Sequence, residues 1–403
     1  MLKKIAKSYD LSLIITIIVF SLFGLVMIYS ASMVVGPAEY DVSSDFFYQK
    51  QKVNLILAAF VFFFVALVPY KVYEHKYVMM AIFFGSIGIL FFLDLFGHEA
   101  NNAQSWLKIG GMSLQPSEFI KLGMIIYLSA VYAKKQSYID DFNAGVLPPI
   151  LFLIFICGLI FIQPDFGTAL IIFMIGATII VSSGMSLKSL LKLFSRLLAI
   201  GVVLLLVALL FKDTIFTENR MGRIDSFLEP FAYEDDQGYQ LVNSYIAIGS
   251  GGLMGVGLGN STQKYGYLPE PHTDFIMAVI VEELGIWGIL IVFFCLSFIV
   301  LKSYRIAMKC KDPFGSLLAI GIASMIGIQT FINLGGLTGL IPITGVPLPF
   351  VSYGGSSILL LAISMGILVN VSMFTNYESK YKHPKEEHEG QSVQYSSKKY
   401  SIH

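Results

Sequence analysis

The chain has 403 residues, of which 56% are hydrophobic, 14% aromatic and only 13% charged, and its mean hydropathy is +0.73. A soluble domain carries about 25% charged side chains, so this composition describes a chain whose solvent is mostly lipid. With 27 basic and 27 acidic groups the formal net charge is zero. No basic stretch is interleaved with aromatics and no GxxxxGK[ST] loop occurs, which argues against a nucleic-acid binder and a nucleotide-driven pump.

A spanning helix needs about 20 mainly apolar residues. Ten stretches qualify, at 11–31, 53–69, 77–96, 117–133, 146–163, 166–184, 193–211, 275–300, 314–340 and 355–375. The fold class expected is therefore all-α, a polytopic membrane protein. The first stretch follows Lys3, Lys4 and Lys7 but is long for a signal sequence, and Ser30-Ala31-Ser32 is a weak cleavage site. It reads as an uncleaved span. With the N-terminus inside, 19 of the 27 Lys and Arg residues fall on the cytoplasmic side and seven outside. That bias places both termini in the cytoplasm. Residues 1–375 form the membrane domain, and 376–403, rich in Lys, Glu and Ser, read as a disordered cytoplasmic tail, either a plain solvated end or a docking segment.

Residues 212–273 break the pattern as a long extracytoplasmic loop between the seventh and eighth spans. It holds Arg220, Arg223, Glu234-Asp235-Asp236 and a glycine-rich run from Gly249 to Gly259. The run follows no strand, so close helix packing is favoured over a phosphate nest. Long loops carry function more often than short ones.

Ionisable groups at membrane depth are functional candidates. In Gln115-Pro116-Ser117-Glu118-Phe119-Ile120-Lys121, Ser117 suits a helix cap, while Glu118 and Lys121 share a face. The pair is either structural or lines a substrate cavity. In Gln163-Pro164-Asp165-Phe166, Asp165 is placed to cap the sixth span. In Pro271-His272-Thr273-Asp274-Phe275, Asp274 is either a cap or a reactive carboxylate. His272 reads as a satisfied loop histidine, since no second His or Cys lies at metal spacing. Glu282 and Glu283 lie about 12–14 Å deeper on a continuous helix and read as network residues. The Pro- and Gly-rich stretch 341–357 cannot be a continuous helix through lipid, and is either a re-entrant loop or a plain outer turn.

Together these motifs resemble the shape, elongation, division and sporulation (SEDS) family, which includes FtsW, RodA and SpoVE. The resemblance rests on QPSEFIKL at 115–122, QPDFGTA at 163–169, NSYIAIGSGGLMGVGLGNS at 243–261, KYGYLPEPHTDFI at 264–276, EELG at 282–285 and NLGGLTGLIPITGVPLPFVSYGGSS at 333–357. The YLPEPHTDF stretch and the length point to the division branch. The resemblance implies a ten-span polymerase that joins lipid II into glycan strands at the outer face of the cell membrane, at the division septum. It also implies a class B penicillin-binding protein and other division proteins as partners, and Asp274 as the essential carboxylate. Gly266 stands where some relatives carry an acidic residue, so no acid is essential at that position here.

In such a transfer an acceptor hydroxyl attacks an anomeric carbon and displaces a lipid pyrophosphate. The leaving group is already good, so one carboxylate as general base suffices. Asp274 is assigned that role. Lys121, Arg220 and Arg223 are assigned to the pyrophosphate charge, with Glu118 positioning Lys121. No dedicated metal site is expected, although a divalent ion held by Asp274 or Glu118 is an alternative to the lysine and arginines. A lipid flippase and a non-catalytic division scaffold remain as other readings.

Overall fold

The computed structural model describes residues 2–96, 98–100, 103–109, 112–210, 225–236 and 238–382. The expected spans are all present as helices: α1 Leu11–Ser32, α2 Phe46–Leu67, α3 Lys76–Phe96, α4 Pro116–Lys134, α5 Leu147–Ile162, α6 Phe166–Ser182 and α7 Leu187–Leu210, followed after the long loop by three more. The loop contains a further helix, α8 Tyr239–Gly251, and the last spans are α9 Ile276–Lys309, α10 Pro313–Leu337 and α11 Gly355–Tyr377. Seven of the described helices are long and apolar enough by themselves to cross a membrane. The chain is a multi-pass membrane protein.

One feature departs from the all-α expectation. Between α3 and α4 three short antiparallel strands, β1 His98–Ala100, β2 Ala103–Ile109 and β3 Met112–Leu114, form a small sheet in the order β1-β2-β3. Residues 103–114 alternate and flank Gly110-Gly111, a hairpin signal that hydropathy alone passes over.

In lipid the hydrophobic effect does not distinguish helix from helix, so close approach through small residues and a few polar contacts sets the packing. α10 lies inside, against α9, α4 and α6, and α11 lies against α2. These two helices are mostly buried, whereas α1, α2 and α3 present most of their surface outward. At the α11–α2 contact a side chain on Gly366 would meet the Phe62 carbonyl oxygen at 2.9 Å.

Polar contacts divide the bundle into two ends. At one end Tyr70 Oη donates to Asp312 at 2.8 Å, Lys302 pairs with Asp10 at 3.0 Å, and Lys134 Nζ donates to the Glu74 carbonyl at 2.7 Å. Asn376 Nδ2 reaches the Ser8 carbonyl at 3.1 Å, so the start of the chain and the end of α11 meet at this same end. α11 runs to Tyr377 and a further turn continues to Lys382, later than the boundary expected at residue 376; the rest of the tail lies outside the described residues.

The eighth span is not the uninterrupted helix expected over 275–300. α9 breaks at Gly285, where φ is +58° and ψ −138°. The break frees backbone groups, and the loop after α8 takes them up. Val256 N donates to the Glu282 carbonyl at 2.9 Å, Gly257 N to the Glu283 carbonyl at 3.0 Å, and Ile286 N to the Leu253 carbonyl at 3.0 Å. Irregular backbone in a membrane protein survives where protein satisfies it in this way. The glycine-rich run is therefore a packing element, as expected, and its partner is the broken end of α9. A Cβ at Gly285 would run into the Leu253 carbonyl oxygen, at a φ that L-residues rarely adopt. Gly285→Ala is expected to cost about 2–4 kcal/mol. A melting temperature in detergent equal to wild type would show that the break is not built on this glycine.

Candidate functional site

At the end of the bundle opposite the start of α1 and the end of α11, three motif segments meet the irregular stretch between α10 and α11. Tyr353 N donates to the His272 carbonyl at 2.9 Å, and Ser352 Oγ donates to the Thr273 carbonyl at 2.7 Å. The Leu348 N–H donates in turn to Ser352 Oγ at 2.8 Å. Gln115 N donates to Ser356 Oγ at 2.9 Å. At the start of α6 a side chain on Gly167 would lie 3.0 Å from the Thr344 carbonyl oxygen. The stretch 344–356 thus touches the starts of α4, α6 and α9 together.

Asp274 precedes α9, but it does not cap it. The cap position is Phe275 and no side chain accepts from the first turn. Among the described residues the Asp274 carboxylate takes part in no hydrogen bond. It is half-buried in a small cleft whose walls include Asn333 and Gly336 of α10 and Thr344, Gly345 and Val346 of the following stretch. Gly345, at φ +71°, brings bare backbone to the carboxylate, and a Cβ there would sit 3.3 Å from Asp274 Oδ2. Burial pushes the Asp274 carboxyl up to about 7, and the negative charge of Glu270 adds to the shift. A carboxylate poised near neutrality and free of structural bonds is suited to take a proton.

His272 is packed rather than hydrogen-bonded, which corrects the reading of a satisfied loop histidine. Its ring lies 4.3 Å from that of Phe47 and 5.5 Å from that of Tyr353, and Nδ1 is buried with no partner among the described residues. Burial lowers its pKa, opposed by Glu270, and so favours the neutral ring.

Glu118 and Lys121 form the expected pair at 2.7 Å, and both are almost wholly buried. The second Glu118 oxygen, Oε2, is buried with no partner among the described residues. Ser117 does not cap α4. The cap position is Gln115, two residues earlier, because Pro116 takes the first helical position, where a missing N–H costs nothing. Ser117 Oγ instead donates to Asp165 at 3.4 Å, and Gln115 Nε2 donates to the same carboxylate at 3.2 Å. Asp165 does cap α6, accepting from Thr168 N at 3.1 Å. The Glu118–Lys121 pair and Asp274 are thus linked through α6 and the 344–356 stretch. Arg220 and Arg223 lie outside the described residues.

No three metal-ligating side chains converge among the described residues. Among the described residues Glu118 is engaged by Lys121, and Asp274 is the one carboxylate lining its cleft.

A second cluster was not foreseen. Lys264, expected on an outer loop, is fully buried. Its ammonium donates to Glu283 at 2.8 Å, to the Gly259 carbonyl at 2.7 Å and to Ser30 of α1 at 3.3 Å. Glu282 accepts from Ser261 Oγ at 2.5 Å and from Thr262 N at 2.8 Å. The two glutamates are network residues as expected, on the last turn before the Gly285 break. Pairing Lys264 with Glu283 could have been suspected from a lone cation and an acidic pair in adjacent motifs.

A family model described as cell cycle protein, covering FtsW, RodA and SpoVE, matches residues 10–377. The probable peptidoglycan glycosyltransferase FtsW of Bacillus subtilis (strain 168) is 57% identical over 385 residues, 95% of each chain. The stage V sporulation protein E of the same organism is 38% identical, over 92% of this chain and 98% of that one. Among solved structures, a chain of a peptidoglycan synthase complex that coordinates polymerization and crosslinking superimposes with a TM-score of 0.72 at 24% identity, covering 91% of this chain and 98% of that one. The rod shape determining protein RodA of Thermus thermophilus gives 0.63 at 23% identity, over 93% and 98%.

Proposed function

The chain belongs to the FtsW/RodA/SpoVE family of cell cycle proteins, and on that footing we propose that it is a peptidoglycan glycosyltransferase that polymerises lipid II for septal wall synthesis. The observation that carries this reading is 57% identity over nearly the full length to a named glycosyltransferase, joined to a carboxylate lining a cleft that takes part in no hydrogen bond among the described residues. The cleft end faces outward and the termini lie in the cytoplasm, in keeping with the lysine and arginine bias of the opposite loops. Lipid II therefore meets Asp274 after it has reached the outer leaflet.

Asp274 takes the proton of the acceptor hydroxyl as that oxygen attacks the anomeric carbon, and the lipid pyrophosphate departs with the bond electrons. Lys121, held by Glu118, and the loop residues Arg220 and Arg223 balance the pyrophosphate charge. A class B penicillin-binding protein crosslinks the emerging strand, and other division proteins bring the pair to the septum, the tail beyond residue 376 being a candidate docking segment.

The test is strand synthesis from labelled lipid II by the purified chain with its penicillin-binding partner, the partner's transpeptidase serine removed. Long glycan strands are expected. Headgroup transfer between leaflets without new glycosidic bonds would replace the reading by a flippase, and neither activity would leave a scaffold.

A further inference from the structure

The wall of the Asp274 cleft contributed by α10 carries one polar side chain, Asn333, only 6% exposed. Its amide has two hydrogens, and each goes to a different wall. Nδ2 donates to the backbone carbonyl of Asp274 at 2.8 Å and to that of Val346 at 2.8 Å. Val346 follows Gly345, the residue whose backbone faces the Asp274 carboxylate. A single side chain therefore fixes the spacing between the residue that bears the carboxylate and the backbone against it. The arrangement leaves Asn333 Oδ1 buried with no partner among the described residues. An unpaired buried acceptor is a cost that an apolar residue of similar shape would avoid. Ile332, Leu334 and Leu337 beside it on α10 are apolar, so packing alone gives no reason for an amide here.

We propose that Asn333 is a positioning residue for glycosyl transfer, holding the Asp274 carboxylate against the Gly345–Val346 backbone in the orientation that accepts the acceptor proton. This rests on Asp274 being the base. Among the described residues the titratable group that bears on Asp274 is Glu270, from its own segment; α10 offers the neutral Asn333 and the 344–346 stretch offers none.

The experiment is initial-rate polymerisation by the full chain in complex with its penicillin-binding partner, from about pH 5.5 to about pH 9, across lipid II concentrations. Asn333→Ala is expected to lower kcat about 10–100-fold with KM held within about twofold, because a misplaced base costs rate rather than binding. Its acid limb moves to lower pH, since a released carboxylate turns to the open mouth of the cleft and regains water. Asn333→Asp keeps the shape but gives up both donations, so the amount of folded complex is measured beside each rate. It lowers kcat with the acid limb moved to higher pH, because a second carboxyl beside Asp274 disfavours ionisation. A rate loss that only tracks the amount of folded complex, with both limbs in place, would make Asn333 structural and overturn the proposal. Wild-type kcat and limb in both variants, beside an inactive Asp274→Asn, would overturn it while leaving the base intact. An active Asp274→Asn would instead remove the reading on which it rests.

Discussion

Asp274→Asn is expected to reduce strand synthesis about 10²–10⁴-fold, the range general-base catalysis supplies. The substitution keeps volume and shape, and the carboxylate it removes holds no helix cap and no hydrogen bond among the described residues. Folding and partner binding should therefore be untouched, and the loss should appear in kcat. The wild-type profile follows from the same group. A base works when ionised, and the Asp274 carboxyl is pushed up to about 7 by burial and by Glu270. Activity should accordingly fall as pH drops through about 7, where an ordinary aspartate would hold it down to about 4. Removing the Glu270 charge with Glu270→Gln eases ionisation of Asp274 and should move the acid limb to lower pH. A wild-type profile flat from about pH 5 to about pH 8, or an Asp274→Asn variant as active as wild type, would show that another group takes the proton.

What could be seen in the sequence depended on whether a residue's role was local. The spans were legible because hydropathy and helix length are local properties, and so was the Asp165 cap, set by Pro164 before it and Phe166 after it. Ser117 was misassigned because Pro116 at the first helical position moves the cap two residues earlier, to Gln115. The Gly285 break was hidden inside a run of apolar residues. Its signature is the pairing of the Glu282 and Glu283 carbonyls with Val256 and Gly257, 26 residues earlier, which no window of helix length contains. Lys264 lies in the stretch expected as an extracytoplasmic loop, yet folding of α8 and the glycine-rich run onto α9 takes it out of water. Asp274 was identifiable as a candidate from its motif, but the choice between cap and reactive carboxylate needed the backbone that surrounds it. Asn333 could not be given a role at all, since both its partners are backbone carbonyls from other segments.

The Lys264–Glu283 pair should carry the largest stability effect in the molecule. Both side chains are inaccessible to solvent, and the ammonium spends its three hydrogens on Glu283, Gly259 and Ser30. Glu283 also accepts from Ser30 Oγ at 2.7 Å and from Ser261 N at 3.4 Å, so α1, the loop after α8 and the broken end of α9 close on one carboxylate. Removing one member strands an opposite charge in a site closed to solvent, which costs about 3–5 kcal/mol, whereas replacing both with apolar residues of similar volume is often neutral. Lys264→Met and Glu283→Met are each expected to lower the melting temperature in detergent strongly, and the double variant to recover most of the loss. The comparison separates charge pairing from packing, because all three variants keep side chains of similar bulk. If the double variant melted as low as the sum of the two single losses, the pair would matter for its hydrogen bonds to Ser30, Gly259 and Ser261 rather than for charge. In that case the join between α1 and the α9 break, a few turns below Asp274, would depend on the hydroxyl and backbone donors of the loop.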